Sequence, residues 1–165
     1  MAAHVHAELE HERAAREAFE RALAHDLRRE YVDEEWLFAM NTLPDVCAFL
    51  GDAGAAERLY ELLLPYVGLY AEAPVEGTFG AIARGLGVLA AQLQRFDEAE
   101  RHFEDAIETE RAMGARPWLA HAQHGLGAAL LERGDDARAR AVLDEAIAAY
   151  RELGMETWAA RAAAL

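Results

Sequence analysis

The chain repeats itself. Displaced by forty residues, Gly85-Leu86-Gly87 falls on Gly125-Leu126-Gly127, and Ala99, Phe103, Ala106 and Ile107 fall on Ala139, Leu143, Ala146 and Ile147. At the same displacement Met113-Gly114 meets Leu153-Gly154, and Trp118 meets Trp158. At forty-three, Leu43, Leu50, Ala56 and Tyr60 fall on Leu86, Leu93, Ala99 and Phe103, and Ala15, Phe19 and Ala22 form a partial first copy. A unit of this size cannot bury an apolar face alone, so such a sequence must fold as a stack of similar units.

Each unit reads as two antiparallel helices. Ala99, Phe103 and Ala106 are spaced four and then three apart, one apolar stripe on a helix whose other positions are acidic or Arg. Gly51-Asp52, Gln94-Arg95 and Gly134-Asp135 stand at equivalent turns, where Gly and Asp supply turn geometry and a helix cap. The pattern predicts a single all-α domain over 1–165: an unpaired helix at 5–30, helix pairs within 34–69, 79–113 and 117–153, and a partial helix from 156. Gly68 to Thr78, with Pro74 and Gly77, holds the three extra residues between the two displacements and reads as an irregular surface loop.

Composition narrows the function. There is no Ser and no Lys, so a serine nucleophile, a Schiff-base lysine and a P-loop are excluded. Net charge is −14, which opposes nucleic-acid binding. Cys47 has no second cysteine to pair with, Met1 to Glu8 lacks the apolar run of a signal peptide, and the apolar run near Leu86–Leu93 is far short of the ~20 residues that span a bilayer. A cytoplasmic protein without membrane contact is the expectation.

In these residues the chain resembles the tetratricopeptide repeat (TPR) family. Leu86-Gly87 and Leu126-Gly127 match its Leu-Gly step, although Leu43 is followed by Pro44. Ala99/Phe103/Ala106, Ala139/Leu143/Ala146 and Ala56/Tyr60/Leu63 match the small-aromatic-small set of its second helix, while Ala83 and Gln123 stand where its early Trp is usual. The resemblance implies a right-handed α-solenoid of antiparallel helix pairs. More narrowly, Ala48-Phe49-Leu50-Gly51-Asp52, Arg95-Phe96-Asp97-Glu98-Ala99 and Gly114-Ala115-Arg116-Pro117-Trp118 resemble the C-terminal repeats of large bacterial signalling ATPases, adenylate-cyclase-like proteins and LuxR-type transcriptional regulators. That likeness implies a non-catalytic sensor or scaffold of a bacterial regulatory protein, without cofactor, binding a protein or peptide; a small-molecule effector is the alternative.

In the family the first helices line the concave groove, which here implies Phe38, Asn41, Asp45 and Phe49, then Arg84, Val88 and Gln92, then His121, His124 and Leu131. Arg84, His121 and His124 are expected to supply polar contacts, the histidines as pH-sensitive donors, and Phe38 and Phe49 apolar ones. His121 and His124, three apart on one helix, could offer two nitrogens to a metal, but Zn²⁺ needs a third protein ligand and no metal site is expected. Cys47 and Trp118 read as packing residues. His4, His6 and His11 among Glu8, Glu10 and Glu12 read as an acidic first turn. Neither end carries an evident polar cap, so Phe19, Leu23, Leu27 and Trp158 could self-associate as a two-fold homodimer or a swapped helix, unless the first helix folds over its neighbour and the chain stays monomeric.

Overall fold

A computed structural model describes residues 1–24, 27, 34–73 and 77–165. In chain order they form α1 (Ala2–Glu8), α2 (Glu12–Ala24), α3 (Glu34–Asn41), α4 (Leu43–Leu50), α5 (Ala53–Leu63), a 3-10 turn (Leu64–Tyr66), β1 (Tyr70–Ala73), β2 (Gly77–Ala81), α6 (Ile82–Gln92), α7 (Phe96–Met113), α8 (Arg116–Arg133), α9 (Asp136–Glu152) and α10 (Glu156–Ala163). The fold is an all-α TPR-like solenoid with one hairpin set into it.

The repeated glycines explain the stacking of α6 to α9. Ala99, Phe103 and Ala106 of α7 are buried, and the Phe103 ring enters the gap between Gly87 of α6 and Gly125 of α8. A Cβ at Gly87 would lie 2.8 Å from that ring, and one at Gly125 2.5 Å from it. One repeat later, a Cβ at Gly127 would meet Leu143 of α9 at 2.5 Å. Gly87, Gly125 and Gly127 thus make room for the large residue of a second helix, Gly85 lies against Asn41 and Pro44, and Leu86 and Leu126 are buried. Gly51 and Gly134 end first helices in the left-handed region, and the next residue caps the second helix: Asp52 accepts from the Ala55 N–H at 2.9 Å, and Asp135 from the Arg138 N–H at 3.3 Å.

The N-terminal part departs from the predicted helices. Where one helix is expected over 5–30, α1 and α2 are separated at Leu9–His11, with Glu10 at φ 57°; residues 25, 26 and 28–30 of that expectation lie outside the described residues. Where the first helix of the 34–69 pair is expected, α3 stops at Asn41 and α4 starts afresh at Leu43. Pro44 has no N–H for the Met40 carbonyl, and its ring would collide with that carbonyl in a continuous helix. Thr42 Oγ1 donates instead to the Ala39 carbonyl at 2.7 Å.

The expected irregular loop is in part an antiparallel hairpin of β1 and β2; Pro74 falls outside the described residues. Buried polar groups pin it. Asn41 Nδ2 donates to the carbonyls of Phe79 (2.8 Å) and Gly80 (3.3 Å), and Glu110 accepts from the Tyr70 hydroxyl and the Ala81 N–H, both at 2.7 Å. Burial pushes the Glu110 carboxyl above its usual range despite those donors. Gly80, at φ 77°, passes so near Glu110 and Trp118 that a Cβ would lie 3.1 Å from the carboxylate.

The ends are not bare. Phe19 is buried, Leu23 and Leu27 pack against the main core, and α1 folds back over α2 and α4. Trp158 is half-buried against Tyr150 and His121, with Ala159 and Ala162 buried beside it. This is the arrangement in which the first helix folds over its neighbour, with α1 covering α2 and α4.

Candidate binding groove

Helices α4, α6, α8 and α10 present successive faces to one concavity, and α1 crosses it. Between them remains a cavity of about 790 Å³. Asp45, Ala48 and Phe49 of α4, Arg84 and Val88 of α6, Trp118, His121, His124, Gly125 and Ala128 of α8, and Trp158 and Arg161 of α10 form its wall; His4, Ala7, Glu8, Glu10 and Glu12 face them.

At the floor Arg84, only 4% exposed, holds Asp45 through both terminal nitrogens, at 2.9 and 2.8 Å. Burial alone would raise the Asp45 carboxyl, but the Arg84 charge and its hydrogen bonds outweigh it and hold the carboxyl below the usual range. The guanidinium also lies 5.6 Å from the Trp118 ring centre, while its Nε, buried, has no hydrogen-bond partner. The pair ties α4 to α6 and leaves Arg84 committed to the protein.

Beside it runs an aromatic ladder. Phe38, Phe79, Trp118, His121 and Trp158 follow one another with ring centres 5.2, 5.1, 5.4 and 4.5 Å apart. The Tyr150 hydroxyl lies 2.9 Å from His121 Nδ1 and 3.4 Å from His124 Nδ1. Burial, reinforced by Arg84, brings His121 down to about 3, and burial lowers His124 as well. For both imidazoles the shift favours the neutral form. Their Nδ1 atoms converge on Tyr150, and among the described residues no group of three or more His, Cys, Asp or Glu is placed to hold a metal ion.

Asp45, Phe49, Arg84, Val88, His121 and His124 are brought together in the wall. Phe38 and Asn41 are not: both are buried, one edge-on to Phe79 and the other bonded to the hairpin. They sit on α3, and the break at Thr42 ends the register that would have carried them into the groove. Gln92 and Leu131 are half-buried toward the C-terminal ends of their helices, past Val88 and Ala128, and do not line the cavity. Trp118 and Trp158, expected to pack or to self-associate, face the cavity as well. Arg161 has no counterpart in the sequence reading. It donates to the Glu8 carboxylate (3.1 Å), the Glu8 carbonyl (3.2 Å) and the Glu10 carboxylate (3.2 Å), and its guanidinium lies 4.8 Å from the Trp158 ring centre. No local signal joins residues so far apart.

Residues 78–152 match the tetratricopeptide repeat family. The match takes in α6 to α9, the two copies with the Gly-Leu-Gly slots, and stops short of the pair broken at Pro44. Repeats of this family generally serve as non-catalytic scaffolds for protein–protein interaction. No curated protein and no solved structure matches the chain. Among the described residues no helix is long and apolar enough to cross a membrane.

Proposed function

We propose that this chain is a recognition module that takes a peptide segment of a partner protein along its concave groove and serves in a bacterial regulatory protein of the cytoplasm. The observation that carries the reading is α1 itself, a helix packed on α2 and α4 that borders the cavity, with its Glu8 bonded to Arg161 of α10. A groove that holds one helical segment has the width and the polar anchor to hold another. The likeness of 34–165 to the C-terminal repeats of bacterial regulators supports the regulatory setting. Panning a displayed library of helical peptides on the full chain tests it. Enriched peptides should lose binding on Val88→Arg, which intrudes on the cavity wall; enrichment that ignores this change sinks the groove as the site.

The cavity volume favours a second reading. About 790 Å³ lies within the range of small-molecule pockets, roughly 300–1,000 Å³. On that reading the groove closes on an effector and α1 is its cover. A metabolite that raises Tm in the parent chain but not in Val88→Arg would support it.

A further inference from the structure

We infer that the groove's partner segment is an acidic amphipathic helix, bulkier on its inward face than α1, which takes α1's place and anchors on Arg161. This rests on the groove being a peptide-binding surface. The first ground is charge. In a chain of net −14, the wall built by α4, α6, α8 and α10 carries Arg84 and Arg161 against Asp45 alone. The other acids at the cavity, Glu8, Glu10 and Glu12, arrive with α1 and the start of α2, and Glu8 and Glu10 meet Arg161. Arg84 is already neutralised by Asp45, so the cation that selects the occupant is Arg161, and it selects carboxylates.

The second ground is volume. α1 offers the cavity His4, Ala7 and Glu8, and about 790 Å³ remains between them and walls that include Val88, Trp118 and Trp158. The larger apolar residues at this end of the chain point the other way: Met1, Val5 and Leu9, four apart, are 50%, 47% and 57% exposed. A helix carrying large apolar side chains in the places of His4 and Ala7 would bury surface that α1 leaves wet. The third ground is misfit. The Nδ1 atoms of His4 and His6 are buried without a hydrogen-bond partner, and Glu10, which follows the helix, is held at φ 57°. Such groups weaken the seat. α1 is a helix of seven residues, matched in charge but poor in fit, and a better occupant displaces it.

The test is binding of two fluorescein-labelled peptides to the full chain: residues 1–12, and the same peptide with His4→Leu and Ala7→Leu. The leucine peptide should bind about ten-fold more tightly or better. On binding, the amides of residues 5–9 of the chain should lose protection from hydrogen exchange. Arg161→Glu should weaken binding about ten-fold, and a leucine peptide that also carries Glu8→Arg should regain it on that variant. The rescue keeps the test decisive, since regained binding requires a folded groove; Arg161→Gln serves as a second variant, weakening binding without charge reversal. Equal affinity of the two peptides, unchanged protection of residues 5–9, or indifference to Arg161 overturns the inference. Library peptides that occupy the groove without acidic residues would also overturn it while leaving the recognition module standing, whereas no groove binder of any kind removes both.

Discussion

The two halves of the molecule obey different rules. From α6 to α9 the period of forty is kept, and each second helix drops one large residue into a glycine slot of its neighbours: Phe103 between Gly87 and Gly125, Leu143 at Gly127. From α1 to α5 the helical run is broken, at Glu10 and at Thr42, and a hairpin held by Asn41 and Glu110 intervenes before α6. The regular half holds its shape by packing repeated along the chain. The irregular half shares the same apolar core, but single, unrepeated polar contacts fix its hairpin and its junction with α6, and its breaks let α1 fold back beside the groove.

That contrast can be broken most severely at Phe103. Phe103→Ala empties both slots at once and should cost about 3–5 kcal/mol, read as a loss in the midpoint of urea unfolding. The counterpart at the junction of the halves is Asp45→Ala, which strands the buried Arg84 charge. Removing one partner of a buried pair costs about 3–5 kcal/mol; Asp45, with 26% of its side chain exposed, should fall at the lower end of that range. If Asp45→Ala proves neutral, the polar account of the irregular half is wrong.

Acid should act next. The folded protein holds His121 near 3, against 6.5 when unfolded, so its contribution is complete above pH 6.5 and is lost as pH falls from there toward 3. His4, His102 and His124, lowered by burial, act in the same sense; Glu110, whose carboxyl is raised, acts in the opposite one as pH passes through its own range. Denaturation followed against pH should steepen below 6.5, each fully engaged histidine adding up to about 1.4 kcal/mol per pH unit. His121→Phe keeps the ring in the ladder and should flatten the slope by its share; an unchanged slope would show the imidazole to be solvated.

The smallest effect separates the two equivalent caps. Asp52→Ala should cost about 1 kcal/mol in thermal unfolding. Asp135→Ala, losing a bond of 3.3 Å rather than 2.9 Å, should cost roughly half that. The reverse order would mean that the shorter helices depend less on their ends than the geometry implies.

Where contacts follow the period, the sequence was legible. Ala99, Phe103, Ala106 and the Gly-Leu-Gly steps announce the helix pairs because each contact recurs forty residues later. The family match, confined to 78–152, stops where that recurrence stops. Arg84 and His121 could be placed in the groove, but not their commitments to Asp45 and Tyr150, which depend on the distance between neighbouring helices. The hairpin hid behind Pro74 and Gly77, which read locally as loop, and its second strand runs into the helix expected from 79, while the groups that hold it belong to α3 and α7. Arg161 and Glu8 were invisible because their pairing uses the whole arc of the superhelix and leaves no periodic trace.

The contact between Arg161 and Glu8 changes how such an arc comes apart. In an open array the outermost unit has one neighbour and frays first, and melting runs inward from a free end. Here α1 is tied to α10 through Arg161 and Glu8, so each leans on a helix far from it in sequence. The stretch between them is a hoop with a catch: loosening α1 costs α10 a partner, and loosening α10 costs α1 the same one.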